Sequence, residues 1–346
     1  MKVPADMLDD TDLGNGWRVV GRPSPPEDST GGNFSVGYLV EHEEGERGFL
    51  KAMDYVSRLQ GDGDMARQLE AMTTAFNYER DVLEKCAGIS RVVTAIEEGE
   101  YRVPDHPVGR VQYLIFERAD GDVRKYLDAS AQFDLAWALR SLHHVAAGLF
   151  QMHQVDVVHQ DLKPSNVLTF YDGAESKLAD LGRASRRGYT GPVDGKVIAG
   201  DPQYAPPETL YRSVPTDWEL RRIGCDAYHL GSLTVFMFAQ GAVTPLVIRT
   251  MDPAFHPRVW QGGEYADVIP HWRDAFDRVL TDVHASMSNP YGDEIIKAVR
   301  ELCEPDPTLR GHPRHRVGRG PLALERYVSL FDLLASKAEY SLQRDL

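Results

Sequence analysis

Between two aliphatic pairs, Val157-Val158 and Val167-Leu168, the chain places His159-Gln160-Asp161-Leu162-Lys163-Pro164-Ser165-Asn166. A carboxylate, an ammonium and a carboxamide are thus presented together on a short loop flanked by apolar residues. Ala179-Asp180-Leu181-Gly182 follows soon after and adds a second carboxylate. Whatever fold surrounds the loop must bring these groups together. At 346 residues the chain exceeds the usual size of a single core, so one bilobal unit or two small domains is the natural expectation.

From Trp17 to Met53 the β-type runs WRVVG, FSVGYLVEH and FLKAM alternate with Gly, Pro and acidic turns such as EEGERG, which predicts an antiparallel sheet. Between Met65 and Cys86, the residues Leu69, Met72, Phe76, Val82 and Leu83 recur at helical spacing, and one long helix is expected. Val92 to Glu97 and Val111 to Phe116 read as two further strands, and Glu117-Arg118-Ala119-Asp120-Gly121 as a hinge. Beyond it Leu135, Leu139, Leu142, Val145, Ala146, Leu149 and Met152 mark a helix, with others expected near 226–240, 266–286 and 291–303. The chain divides into an N-terminal extension (1–16), a strand-rich half (17–116), a mainly α half (117–316) and a C-terminal amphipathic helix (317–346). That helix is expected to dock on its own domain, with a partner or a second copy as the alternative.

With 42% hydrophobic and 26% charged residues, the whole chain reads as folded. A net charge of −14 opposes attraction to nucleic-acid phosphates and anionic lipid and mildly favours basic partners. Cys86, Cys225 and Cys303 lie far apart, and the N-terminal run MKVPADMLDDTD has no apolar stretch, so a reducing cytoplasm is expected. The apolar stretch Leu233 to Phe238 is far short of the roughly 20 residues needed to span a bilayer, and no membrane anchor is expected. His143, His144, His153 and His159 lack compact zinc-site spacing and read as helix-surface or core residues.

Phosphoryl transfer asks little covalent chemistry of a protein. It needs a group that orients the attacking hydroxyl, divalent metal on the phosphates, and cations near the phosphate oxygens. The loop around Asp161 resembles the catalytic loop of the protein kinase superfamily, of the serine/threonine (Hanks) type, whose pattern is H-R-D-L-K-P-x-N; Asp180-Leu181-Gly182 resembles the family's D-F-G. Three later landmarks agree in order: Gly200-Asp201-Pro202-Gln203-Tyr204-Ala205-Pro206-Pro207-Glu208, Asp226-Ala227-Tyr228-His229-Leu230-Gly231 and Asp306-Pro307-Thr308-Leu309-Arg310. The resemblance implies an α+β bilobal fold, with an antiparallel-sheet lobe bearing a helix and a mainly α second lobe. It implies that Asp161 orients the acceptor hydroxyl, that Lys163 neutralises the moving phosphoryl, and that Asn166 and Asp180 hold Mg²⁺. Lys51 would pair with Glu79 to hold the phosphates of ATP. Gly31, Gly32, Asn33, Phe34 and Ser35 would cover them, and Phe116, Glu117, Ala119 and Leu168 would line the nucleotide site. Glu208 would pair with Arg310, and Asp226 would brace the catalytic-loop backbone. The expected kind is a stand-alone soluble kinase, bacterial in flavour, acting on a protein substrate.

The chain departs from the family pattern in four places. Of the glycine-loop glycines only Gly32 falls in register, and Phe49 stands where a small alanine usually faces adenine. Gln160 replaces an arginine that gathers a phosphorylated loop, which implies activity without obligatory phosphorylation of Ser185, Tyr189 or Thr190. Asp201 stands in place of a threonine, which suggests substrates basic around the acceptor. Two rival functions follow: an ATP-binding pseudokinase scaffold, suggested by the poor glycine loop, and a small-molecule phosphotransferase, whose relatives lack Lys163 and the Pro-Pro-Glu segment.

Overall fold

Alternation of side chains across a pleat dictates the first part of the fold. In Trp17–Gly21, Trp17 and Val19 are buried while Arg18 and Val20 face water, the period of a sheet with one dry face. The computed structural model describes residues 3–23, 35–54, 65–106, 109–129, 132–315 and 322–344. It forms two units, Met1–Gly88 with Val93–Gly121 and Ile89–Val92 with Asp122–Leu346.

The first unit is a six-stranded antiparallel sheet in the order β1-β2-β3-β4-β6-β5. Its strands are β1 (Asp12–Gly14), β2 (Trp17–Gly21), β3 (Ser35–His42), β4 (Arg47–Met53), β5 (Ala95–Arg102) and β6 (Arg110–Glu117). Trp17, Val19, Tyr38, Val40, Leu50, Ala52, Val111, Tyr113 and Ile115 make its dry face. The residues expected to be an extension are built into this unit. Leu8 is fully buried in the same core, the Tyr38 hydroxyl donates to Ala5 O at 2.7 Å, and Arg22 bridges Asp6 and Asp9 at 3.1 and 3.0 Å. The strand expected at Val92 to Glu97 is displaced to Ala95–Arg102. An edge strand carries little hydrophobic alternation, and Glu97, Glu98 and Glu100 hid it. Val92 belongs instead to the second unit, bridged in parallel to Leu178.

Helix α1 (Met65–Lys85) buries Met72, Phe76, Val82 and Leu83, which together with Glu79 fall at spacings of three and four. Glu79 lies on that same apolar face, and a carboxylate so placed needs a cation.

The second unit is mainly helical: α2 (Val123–Ala129), α3 (Leu135–Gln154), α4 (Gly224–Ala239), α5 (Val243–Thr250), α6 (Tyr265–Ser286), α7 (Gly292–Leu302) and α8 (Glu325–Arg344). Short strands β7 (Val157–Val158), β8 (Val167–Phe170), β9 (Glu175–Leu178) and β10 (Ser185–Arg186) frame the polar loop, β9 pairing with β8 and β10 with β7. Asp134 caps α3 by accepting from Trp137 N at 2.9 Å. Helix α4 is apolar nearly all round, the mark of a helix surrounded by protein, and Tyr228 and Val235 join a core with Trp272, Phe276 and Val299. Helix α8 docks on α3 through Phe331, Leu334 and Ala338, with Arg140 bonded to both Asp332 and Glu339. Among the described residues no single helix is long and apolar enough to cross a membrane.

Candidate active site

The polar loop is held from below by one buried carboxylate. Asp226, at the start of α4, is fully buried; its Oδ2 accepts from His159 N at 2.8 Å and its Oδ1 from Gln160 N at 2.7 Å. Its Oδ2 also lies 2.9 Å from His153 Nε2. Burial alone would raise the Asp226 carboxyl, but the bonds from His153 and the loop amides outweigh it and leave the group below its ordinary range. His153, read from sequence as a surface or core residue, is thus part of the brace.

Two non-glycine residues in the left-handed region shape what rests on it. Gln160 has φ +61° and Asp180 φ +60°. Such backbone is costly for a residue with a Cβ and persists only where neighbours over-determine it. Here the turn at Gln160 delivers Asp161 beside the end of the 187–200 segment. Asp161 Oδ1 accepts from Asp201 N at 2.8 Å, and Oδ2 lies 3.5 Å from Lys163 Nζ. Asn166 Nδ2 donates to Asp161 O at 2.8 Å. Burial lifts the Asp161 carboxyl above its ordinary range; Lys163 and His159 pull it back, while the Asp180 charge pushes it further up. Gly200 is fixed by the same crowding, since a Cβ there would stand 2.4 Å from Gln160 O and 2.6 Å from Asp161 Oδ1. Lys163 Nζ also lies 3.5 Å from Asp201 Oδ2, and Asp201 Oδ1 caps Gln203 N at 2.9 Å. The Asp201 charge is therefore answered inside the chain, and the expected attraction of basic substrates draws no support from it.

The pair expected between Glu208 and Arg310 is present: Arg310 donates to both oxygens of Glu208 at 2.8 and 2.7 Å, with both side chains sealed from water. A lone charge there would be far more costly than the pair.

In the first unit Lys51 Nζ donates to Glu79 Oε1 at 2.7 Å, which meets the cation that Glu79 requires. Gly37 pairs with Lys51 across the β3–β4 hairpin, and a Cβ on it would stand 2.8 Å from the Phe49 ring, so the glycine makes room for that ring. Ser35 opens β3 opposite Met53. Gly31, Gly32, Asn33 and Phe34 lie outside the described residues. Phe116 and Glu117 end β6, and Glu117 Oε1 accepts from Thr94 N at 2.7 Å; Ala119 follows in the connecting segment. Leu168 is half-buried on β8 in the second unit.

Arg222 and Asp194 went unnoticed in the sequence, where each looks like an ordinary surface charge. They join Gln160 and Ser185 in a buried cluster, Arg222 Nη1 donating to Gln160 Oε1.

The protein kinase domain family matches residues 32–315. Over 146 residues the chain is 37% identical to the Mus musculus serine/threonine-protein kinase MRCK gamma, covering 40% of this chain and 9% of that protein. It is 25% identical over 301 residues to the Mus musculus serine/threonine-protein kinase DCLK1 (80% of this chain, 35% of that protein). A third relative, the Homo sapiens serine/threonine-protein kinase H1, is 33% identical over 173 residues (49% and 40%). The chain spans less than half the length of each. A family match over most of its length, on a sheet unit with one long helix followed by a helical unit, means that this chain belongs to the protein kinase family and has its bilobal α+β fold.

Proposed function

We propose that the chain transfers the γ-phosphoryl group of ATP to a serine or threonine hydroxyl of a protein substrate. One observation carries the reading: Asp161 sits with one oxygen on Asp201 N–H and the other near Lys163 Nζ, on backbone that Asp226 fixes. In this reaction the acceptor oxygen bonds to the γ-phosphorus and the bond from that phosphorus to the β,γ-bridging oxygen breaks. ADP leaves with the electron pair, and the hydroxyl proton passes to the Asp161 carboxylate. Lys163, 3.5 Å from Asp161 Oδ2, is the cation assigned to the moving group, and Lys51, held by Glu79, is the cation assigned to the α- and β-phosphates. Lysine at position 163 is the serine/threonine-type residue, and the relatives' names agree with that class.

The donor set suits Mg²⁺. The Asn166 amide nitrogen is engaged by Asp161 O; its carbonyl oxygen accepts from Ser165 Oγ at 3.4 Å and keeps a second lone pair as a hard donor, and the Asp180 charge acts on Asp161 beside it. Asn166 and Asp180 would hold the ion, which when bound neutralises the phosphate oxygens. The thiols of Cys86, Cys225 and Cys303 are all free, in keeping with a reducing, cytoplasmic setting.

The test is incubation with labelled ATP, Mg²⁺ and a panel of proteins, small alcohols and amines. The expected result is label on protein serine or threonine, reduced by about 100-fold or more in Asp161→Asn. Label on small molecules alone would assign the small-molecule chemistry, and ATP binding without transfer would assign the scaffold.

A further inference from the structure

Arg222 lies in the π-helical turn Glu219–Ile223 ahead of α4 and is only 5% exposed. A guanidinium so far from water must have its donors answered. Its Nη2 donates to Asp194 Oδ1 at 3.0 Å and Asp194 O at 2.9 Å, and its Nη1 to Gln160 Oε1. Asp194 Oδ1 also accepts from Ser185 Oγ, and Gln160 Nε2 closes the ring by donating to Ser185 Oγ at 2.5 Å. Asp194 Oδ2 accepts from Gly191 N at 2.6 Å, and Arg221 Nη2 donates to Asp194 O and Lys196 O at 3.1 and 2.9 Å.

Four side chains, Gln160, Ser185, Asp194 and Arg222, therefore tie together the catalytic loop, β10, the 187–200 segment and the turn before α4. The far end of that segment is fastened too: Arg183 Nη1 donates to Ala199 O at 3.3 Å, and Asp201 N donates to Asp161. The carboxylate of Asp194 supplies the negative charge on Arg222, so no added phosphate is needed to order the segment. Ser185 is fully buried with its hydroxyl on Asp194, where a phosphate would oppose a like charge, whereas Tyr189 and Thr190 stand exposed outside the ring.

We propose that Asp194 and Arg222 form a built-in clasp that orders residues 187–200 without phosphorylation and, through Gln160, positions the backbone carrying Asp161. The consequence for catalysis rests on the kinase reading; the ordering does not.

The experiment uses the full chain after phosphatase treatment, with mass spectrometry confirming that no phosphate remains. Amide exchange over 187–200 is followed beside phosphate transfer and melting temperature. Expected is a protected segment in the wild type, with exchange about tenfold faster or more in Asp194→Asn and Arg222→Gln. Asp194→Glu should restore part of the protection. In the same two variants kcat should fall by about tenfold or more while KM for ATP stays within about twofold, the signature of a misplaced Asp161 rather than lost nucleotide binding. Unchanged protection in both variants, or a segment that orders only when phosphorylated, overturns the clasp. A wild type that orders the segment but transfers no phosphate would refute the kinase reading and leave the clasp standing.

Discussion

Gln160 shows how a single residue can be chosen by its neighbours. Its left-handed backbone costs a non-glycine residue about 1–3 kcal/mol, and the bonds to Asp226, Ser185 and Arg222 hold it there. Its side chain must accept from one partner and donate to another, which an amide can do and a guanidinium cannot. The family's arginine at this position would face Arg222 with both charges buried. Gln160→Arg should therefore lower stability by about 2–4 kcal/mol, whereas the exchange Gln160→Arg with Arg222→Gln returns one cation to Asp194 and recovers part of the loss. Urea melts of the two single variants and the double variant measure the coupling. Additive losses would mean that Gln160 and Arg222 do not depend on one another.

At the scale of elements, the docking of α8 on α3 sets apolar burial against ion pairs. Phe331 is fully buried, while Arg140 reaches Asp332 and Glu339 at a half-exposed rim. Phe331→Ala should cost about 3–5 kcal/mol and Arg140→Ala about 1 kcal/mol or less in a denaturant melt. The reverse order would assign the attachment to charge. The amphipathic pattern of α8 was legible because its apolar residues recur on one face, as was the period-two pattern of β2. The edge strand β5 and the short helix α5 were not, since neither carries enough periodic residues to stand out. The same physics divides the candidate site. Asp161, Asn166 and Asp180 are close in sequence and carry a motif. The Arg222–Asp194 pair joins residues that nothing local connects, and only folding brings them together.

At the scale of the whole molecule, buried neutral histidines tie stability to pH. Burial pushes His144 down to about 3, helped by Arg91, His143 and Arg140 and opposed by Asp332; its Nδ1 accepts from Ser176 N at 3.2 Å. Burial likewise pushes His229 down to about 4, His159 and Arg310 adding to the effect and Asp226 and Asp201 opposing it. Both folded values lie below the unfolded one of about 6.5, so between these limits the unfolded chain binds more protons than the folded one. Their contribution is complete above about pH 6.5 and is lost as the pH falls toward the folded values. Each histidine then costs up to about 1.4 kcal/mol per pH unit, so going from pH 7 to pH 5 should remove about 4 kcal/mol in all. Asp226, held below its ordinary range, acts in the same direction only below about pH 4 and stays out of this window. Replacing His144 by asparagine keeps an acceptor near Nδ1 but removes the titration, and it should halve the slope of stability against pH between 7 and 5. Urea melts at half-unit intervals measure that slope, and a profile as steep in His144→Asn as in the wild type would mean that this ring takes up its proton without unfolding the chain.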